Sequence, residues 1–510
     1  MAPRFIRLST SGIVTLVIIG LISWSTWQRW QLLAVSPFPI GVDGYFYPIQ
    51  LRALLSHGSL NDSSSPLAFY LLAPFAAATD PITGAKLGAA LFGALLAWPA
   101  YGVGTRLGGS RSAGLLTAAL ATTSLGSLYL TVEFVKNSIG LTVGLAALWA
   151  VLVAIDAPSR KRIALALAAI VAAYATHKMA AALVVLVALP AILAALTRRG
   201  ALRGRRLLYV LGALCVLAIA TTLLGAIAPQ RFLSPRDLAL LDGLWTTDAA
   251  WTAPALVTTG GALAIGHDAL LGGALALLAL VTAALRARLA SPVDATHTRI
   301  PAAGWPIILL ALAIGLPWLA VTDRQGLGFR LRLAAFVPMA LTAAIVARGV
   351  FAHWAARKDP VLASLAIVLA IARAASVPSV LPGEVITHPA LVSAAQALVG
   401  RVPAGSTLII PERHLAFLVA WYTGASVALR PEHIPPAHRY RLLPMSFIGE
   451  DSPLDRALLS ARTQPNLPPP LGLHPDLING LVLVAEPTWQ WALAQLPPAD
   501  RARYTAWPTI

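Results

Sequence analysis

Apolar runs separated by short polar stretches repeat along residues 1–379 and then give way to a mixed pattern. A helix needs about 20 apolar residues to cross a bilayer, and on that measure eleven crossings are predicted. They fall near residues 11–33, 81–104, 112–130, 138–156, 163–176, 179–196, 207–228, 262–285, 303–321, 333–348 and 360–378. Trp24, Trp27 and Trp30 close the first, as aromatic residues do at a membrane–water interface. Two further apolar segments are too short to cross. Residues 45–57, with Phe46, Ile49, Leu51 and Leu54 on one side, read as a surface helix, and 66–78 as an interfacial or re-entrant one.

Beyond residue 380 the pattern changes. Residues 403–411 read as a turn and then a strand, 413–423 as a helix, and 481–485 as a second apolar strand, with a loop near Pro468–Pro470. Strand and helix in alternation indicate a small α/β unit. The expected fold class is an all-α polytopic membrane bundle of about eleven helices followed by a soluble α/β domain. The domains are 1–379, with a first outer loop at 34–80, and 380–510.

Composition agrees with a membrane chain: of 510 residues 57% are hydrophobic and only 12% charged, which excludes an ordinary soluble protein. The formal charge of +17 raises a nucleic-acid reading, but its distribution removes it. Residues 1–379 hold 29 basic and 12 acidic side chains, and 380–510 hold nine of each. The excess sits in short clusters between apolar runs, at Arg106 and Arg111, Arg160–Arg162, Arg198–Arg206, Arg286 and Arg288, and Arg357–Lys358. Placing every cluster on the cytoplasmic side puts the N-terminus, with Arg4 and Arg7, there too. Asp43, Glu133, His177, Arg330 and the C-terminal domain then lie outside a cell inner or plasma membrane. A cleavable signal peptide is not expected, because the first apolar run continues into an aromatic end. One cysteine, Cys215, excludes an intrachain disulfide.

Chemistry concentrates at the outer ends. Asp43 lies in Gly41-Val-Asp-Gly-Tyr45-Phe-Tyr-Pro48, where flanking glycines leave the backbone free to turn. It is the candidate general base, against the plainer reading of a helix cap. Glu133 is a second candidate catalytic carboxylate, or merely the i, i+3 ion-pair partner of Lys136. Lys86, Lys136, Lys178, Arg330 and Arg332 end spans where a lipid phosphate would sit, although Lys86 can simply snorkel. His177 joins them as a substrate contact or a structural histidine. Arg330 and Arg332, two apart on a helix, should face different ways. His57 and Asp62 are weaker candidates, and His414, His433 and His438 are expected to be solvated. Loop 229–256, mixing tryptophans with charges, is a candidate lid or acceptor contact.

Several of these features resemble the polytopic glycosyltransferases of the GT-C fold, relatives of protein O-mannosyltransferases and of aminoarabinose transferases. They are Gly41-Val-Asp43-Gly-Tyr45, the helix opening Pro66-Leu-Ala-Phe69-Tyr70, a span ending Gly-Thr-Arg106-Leu-Gly, and the acidic turn at Glu133. The resemblance covers roughly residues 10–350 and lies more in layout than in letters. It implies a polyprenyl-phosphate sugar donor, a lipid, glycan or protein acceptor, and a base or orienting role for Asp43. It adds Tyr45 to the substrate contacts. In some relatives acidic residues of the first two outer loops hold a divalent metal, Mg or Mn, which would implicate Asp43 and Glu133.

Two other classes fit the span count: a transporter or flippase of lipid-linked saccharides, and a non-catalytic glycan-assembly protein. A transporter should carry ionisable groups or broken helices inside the bilayer. The spans read as nearly free of charge, which favours surface chemistry.

Overall fold

The computed structural model describes residues 10–61, 65–200, 204–227, 241, 243–247, 266–289, 300–321, 326–351, 364 and 368. It also describes 387–428 except 388, 404 and 411, then 439–449, 451–473 except 469, and 481–505. The chain divides into two compact units. The first is Met1–Val35, Leu60–Thr79 and Thr83–Glu384; the second is Ser36–Ser59, Asp80–Ile82 and Val385–Ile510. Residues 36–59 of the expected first loop thus fold with the C-terminal region.

The first unit is helical. Its helices are α1 (Thr10–Leu33), α3 (Leu67–Ala78), α4 (Pro81–Ala94, whose first residues belong to the second unit), α5 (Ala97–Gly108), α6 (Arg111–Thr122) and α7 (Leu125–Glu133). They continue with α8 (Val135–Asp156), α9 (Arg160–Thr176), α10 (Lys178–Arg198), α11 (Arg205–Ile227), α12 (Gly266–Leu289), α13 (Gly304–Gly315), α14 (Leu327–Leu333) and α15 (Phe336–Phe351). Among the described residues five helices are long and apolar enough to cross a membrane, or seven if each of two bent pairs counts as one span. The pairs are α6 with α7, bent by 48°, and α14 with α15, bent by 44°. Helices also occupy the expected fifth, seventh and ninth crossings, while the eleventh lies outside the described residues apart from 364 and 368. Five to seven crossings are thus shown among the described residues.

Leu165, Leu167, Val171, Ile219, Leu223 and Ile227 are all exposed on the outside of this unit. An apolar exterior on this scale is matched to lipid tails and would be unfavourable in water. Inside, small residues set the spacing. A Cβ at Gly104 would come within 2.2 Å of Thr117, and one at Gly108 within 2.3 Å of Ala113, so α5 and α6 pack closely. Gly109, in the left-handed region at φ 73°, turns the chain between them.

The expectation of nearly charge-free spans is corrected here. Arg29 on α1 is fully buried, and neutral acceptors take up its guanidinium donors. Nε donates to Thr131 Oγ1 (3.1 Å) and Nη2 to the Thr122 carbonyl (3.2 Å) and Ser127 Oγ (2.7 Å). Nη1 donates to the Ser25 carbonyl (3.3 Å) and the Ser25 hydroxyl. Thr122 ends α6, so the arginine fastens α1 across the break between α6 and α7. On α12, buried Asp268 accepts a hydrogen bond from Ser124, which also caps α7 by accepting from Gly126 N. Space around Arg29 depends on Gly93, where a Cβ would lie 2.6 Å from Thr131 Oγ1 and 2.8 Å from Arg29 Nε. Gly93→Ala is expected to destabilise the protein by about 1–3 kcal/mol through overpacking. A thermal-denaturation series in detergent checks this; an unchanged midpoint contradicts it.

The second unit holds helix α2 (Phe46–His57) and a five-stranded sheet of order β2-β1-β3-β5-β4. Its strands are β1 (Thr407–Ile409), β2 (Ser426–Ala428), β3 (Arg439–Pro444), β4 (Leu471–Leu473) and β5 (Leu481–Ala485). β1 runs parallel to β2 and β3, and β5 antiparallel to β3 and β4. Every residue of β5 is buried: Leu481 and Leu483 enter one core, Val482 and Val484 the other. Helices on both faces explain that continuous apolar run. The helix Arg413–Thr423 and the strand Leu481–Ala485 fall where the sequence places them. A buried bidentate pair, Arg441 to Glu486 at 2.8 Å for both bonds, ties β3 to the helix Glu486–Ala494. Burial opposes the Glu486 charge, but the Arg441 bonds outweigh it and hold the carboxyl below its usual range.

Candidate functional site

In the first unit, five of the sequence candidates gather where α7, α8, α10 and α14 begin or end. Glu133 is the last residue of α7 and is buried; Phe134 forms the joint, and Lys136 lies in the first turn of α8. His177 joins α9 to α10, followed by Lys178. Arg330 comes from α14, its guanidinium 5.4 Å from the Phe134 ring centre, while Lys136 Nζ lies 5.6 Å from that of Phe69. His177 packs on α8 so closely that a Cβ at Gly140 would lie 2.7 Å from its own Cβ.

Burial first, then the nearby charges of Lys136, Arg330 and Lys178, push the His177 imidazole down to about 3. The ring is neutral at physiological pH, and Lys136, Lys178 and Arg330 supply positive charge around it. Two buried polar atoms here, His177 Nδ1 and Asn137 Nδ2, have no hydrogen-bond partner among the described residues. Asn137 lies one turn before Gly140 on α8, on the face that meets His177. Because an unfolded histidine gains a proton near 6.5 that the folded one refuses, stability should fall as pH drops from that value toward 3. Denaturation midpoints measured from pH 7 to 4 should flatten in His177→Gln. A slope identical to wild type refutes this assignment.

One turn along from this cluster a narrow apolar groove, with about 40 Å³ of open space, lies between α8, α10, α13 and α15. Gly144, Ala180, Val184, Ile307, Leu331 and Pro338 are among its walls. Ala180 follows His177 by three residues and Leu331 adjoins Arg330, so cations stand at one end of an otherwise apolar slot.

The remaining candidates lie elsewhere. Arg332 does not join Arg330: it is buried, and Nη2 donates to the Leu316 carbonyl at 2.9 Å. That fastens the end of α13 and makes its role structural. Lys86 is buried on α4 and does not snorkel to a surface. His57 ends α2 at an exposed position, and Asp62, His433 and His438 lie outside the described residues. Of loop 229–256 only 241 and 243–247 are described; there Thr246 N donates to the Trp318 carbonyl at 2.8 Å, and Ala320 N to the Leu244 carbonyl at 2.9 Å.

Asp43 belongs to the second unit. It does not cap α2, whose N-cap position is taken by Tyr45 without a side-chain cap bond; its Oδ1 instead pairs with Arg413 Nε at 2.7 Å. Next to Arg413, His414 is buried rather than solvated. Its Nδ1 donates to the Gly41 carbonyl at 3.0 Å, and Nε2 meets Thr387 Oγ1 at 2.9 Å. Thr387 also donates to the Pro39 carbonyl at 3.0 Å. Burial pushes the His414 ring below its ordinary value, against the pull of Glu412, the Gly41 carbonyl and Asp43. Arg413, His414 and Thr387 thus hold both sides of the Asp43 turn. Glu412, which caps their helix by accepting from His414 N and Leu415 N, was the local signal for this arrangement.

Tyr45 is also corrected. It is fully buried in a core with Leu415 and Leu418, its ring 5.9 Å from His414 and 6.2 Å from Tyr422. Burial, with Tyr422 adding to it, raises its phenol above the ordinary range. Tyr45 supports the turn from beneath and has no surface to offer a substrate.

The metal expectation does not fit these residues. Asp43 is committed to Arg413, and no group of three or more His, Cys, Asp or Glu suited to a metal occurs among the described residues.

The fold and these groupings define a multi-pass membrane protein, mostly helical, with a small C-terminal sheet. No protein-family model matches the chain, and no curated protein is detectably similar to it.

Proposed function

We propose that the protein is a GT-C-type glycosyltransferase that moves a sugar from a polyprenyl-phosphate donor to a lipid, glycan or protein acceptor on the extracytoplasmic face. The observation that carries this reading is the cationic cluster of Lys136, Lys178 and Arg330 set one turn from an apolar groove. A lipid phosphate has that same composition, an anion on a long hydrocarbon. Arg330 would take the phosphate through a forked pair of hydrogen bonds and the lysines as point charges. Neutral His177 and Asn137 would complete its hydrogen bonding.

In the reaction the acceptor oxygen attacks the anomeric carbon while the bond from that carbon to the phosphate oxygen breaks. The resemblance gives the acceptor's proton to the Asp43 carboxylate, and polyprenyl phosphate leaves as its anion with the bonding electron pair. Direct displacement inverts the anomeric centre. Eleven crossings with a cytoplasmic N-terminus belong to the same reading.

A transporter of lipid-linked saccharides is the second reading, and buried Arg29 and Asp268 beside the broken α6–α7 helix favour it. Protein reconstituted in lipid vesicles, given polyprenyl-phosphate sugars and acceptor extracts, separates the two. Release of polyprenyl phosphate is expected, with donor affinity reduced about tenfold or more in Lys136→Gln/Arg330→Gln, each lost charged hydrogen bond costing about 1.5–3 kcal/mol. Movement of intact donor between leaflets without release would overturn the transferase reading.

A further inference from the structure

Three contacts around His414 need three protons, and a neutral ring with the Thr387 hydroxyl brings only two. Nδ1 stands 3.0 Å from the Gly41 carbonyl, which can only accept, so this contact needs a proton on Nδ1. Thr387 Oγ1 lies 3.0 Å from the Pro39 carbonyl, a second acceptor, and that contact takes the one hydroxyl proton. Nε2 and Thr387 Oγ1 then face each other at 2.9 Å, and only a second ring proton makes that a hydrogen bond. A neutral imidazole gives up one of the three. With the hydroxyl turned to Nε2 the Pro39 carbonyl loses its donor, and with the proton on Nε2 the Gly41 carbonyl loses the ring. We infer that His414 is a positioning residue for Asp43, and that its doubly protonated ring is the form that fastens the Asp43 turn at both carbonyls.

The turn itself gives these bonds their weight. The Gly41 carbonyl also accepts from Gly44 N at 2.9 Å, which closes a four-residue turn with Val42 and Asp43 at its centre. Gly41 adopts φ 92°, and a Cβ at Gly44 would lie 2.7 Å from the Ile40 carbonyl, so the backbone here is tightly constrained. Arg413 pairs with the Asp43 carboxylate, so consecutive side chains of one helix grip the carboxylate and the backbone of the same turn. His414 and Thr387 are both buried, where a lost hydrogen bond is not simply replaced by bulk water.

Among the described residues the charged groups beside the ring are Glu412 and Arg413 at the start of its own helix and Asp43 on the turn. Tyr45, 5.9 Å away ring to ring, and Tyr422 beyond it are phenols. Arg52 of α2 reaches the far end of that helix, where Nη1 donates to the Trp421 carbonyl at 3.0 Å. The helix Pro389–Ala397 and β2, packed on the same helix, carry no titratable side chain. Burial lowers the ring from 6.5, and Glu412, the Gly41 carbonyl and Asp43 pull against it. The second proton therefore arrives below that value, so the turn is partly released at neutral pH and closes on acidification. On the transferase reading above, on which this consequence rests, the closed turn holds Asp43 in place for the acceptor.

The test follows full-length protein in lipid from about pH 7.5 to 4. Nitrogen-15 spectra of labelled histidine, with His414→Gln identifying the signals, should show one ring proton at the neutral end and two toward the acid end. Thr387→Val keeps the side-chain volume but removes the acceptor for Nε2–H, and should move the second protonation to lower pH. Thr387→Ser should restore it. Amide exchange of residues 40–46, taken as the ratio of Thr387→Val to wild type at each pH, should rise about two- to tenfold on acidification, the span of one hydrogen bond. Release of polyprenyl phosphate should show a Thr387→Val deficit that widens in step, with donor affinity unchanged. A ring that keeps one proton throughout, or a Thr387→Val protein that titrates and exchanges like wild type, would overturn the inference. Exchange that responds while the release rates of the two active proteins keep one pH profile would overturn the positioning role. If no form releases polyprenyl phosphate while ring and exchange respond as expected, the transferase reading fails and the proton-closed turn stands.

Discussion

Asp43→Asn should lower the rate of polyprenyl-phosphate release by about 10²–10⁴-fold while donor affinity stays unchanged, the span expected for loss of a general base. Asparagine keeps the size of the side chain and can still accept a hydrogen bond from Arg413, so the turn held by His414 and Thr387 should survive. What disappears is the negative charge and the capacity to take a proton. Arg413→Gln supplies the comparison. It removes the partner at 2.7 Å but leaves the carboxylate, and should reduce the rate less than the asparagine variant does. Single-turnover release and donor binding, measured separately on each variant, read the two effects apart. Full turnover by the asparagine form would remove Asp43 from the chemistry and leave its ion pair as a structural tie.

Arg29→Ala is expected to destabilise the helical unit by about 3 kcal/mol, counting the buried hydroxyl and carbonyl groups it leaves unpaired and the cavity it opens. Two opposing terms decide the size. Removing the guanidinium relieves the desolvation of a buried charge, a gain that often cancels the loss of its bonds when an apolar side chain of similar volume takes the place. Alanine does not fill the volume, so loss dominates. Arg29→Met fills it and should recover much of the stability. Arg29→Lys should remain impaired, because three ammonium donors cannot span Ser25, Thr122, Ser127 and Thr131 as the planar fork does. Thermal midpoints in one detergent rank the series. A methionine variant as unstable as the alanine one would show that the charge, rather than the filled volume, holds the helices.

That arginine also bears on the transport reading. Ionisable groups inside a bundle commonly mark a pathway, yet the guanidinium of Arg29 is directed onto neutral protein groups, as a fastening would be. Asp268 is different, since its carboxylate meets Ser124 at the break itself. If intact donor crosses between leaflets, Asp268→Asn is the first variant in which to look for its loss.

Most helices were legible from hydropathy because burial in lipid or protein leaves long apolar runs that no other environment tolerates. The helix at 413–423 and the strand at 481–485 were legible for a related reason: each presents an apolar pattern bounded by polar or turn-forming residues. The clustering of Glu133, Lys136, His177, Lys178 and Arg330 followed from a similar local rule. Each lies at or near the end of an apolar run, and helices that pack side by side bring their ends together.

What only the tertiary structure decided concerns partners far apart in the chain. Nothing near residue 43 announces that Arg413 will neutralise it, or that His414 will be buried against Gly41, because a salt bridge leaves no periodicity in either segment. Tyr45 resembled a substrate contact for the same reason, its burial depending on Leu415, Leu418 and Tyr422. Arg29, set between tryptophans, had the local appearance of an interfacial cation, and its burial came from hydroxyls some hundred residues away. The sequence by itself determined a membrane-embedded helical chain with an α/β region behind it, since hydrophobic burial is read residue by residue. Which polar groups meet inside it was decided by the packing of distant elements, since a hydrogen bond depends on three-dimensional position and not on local pattern.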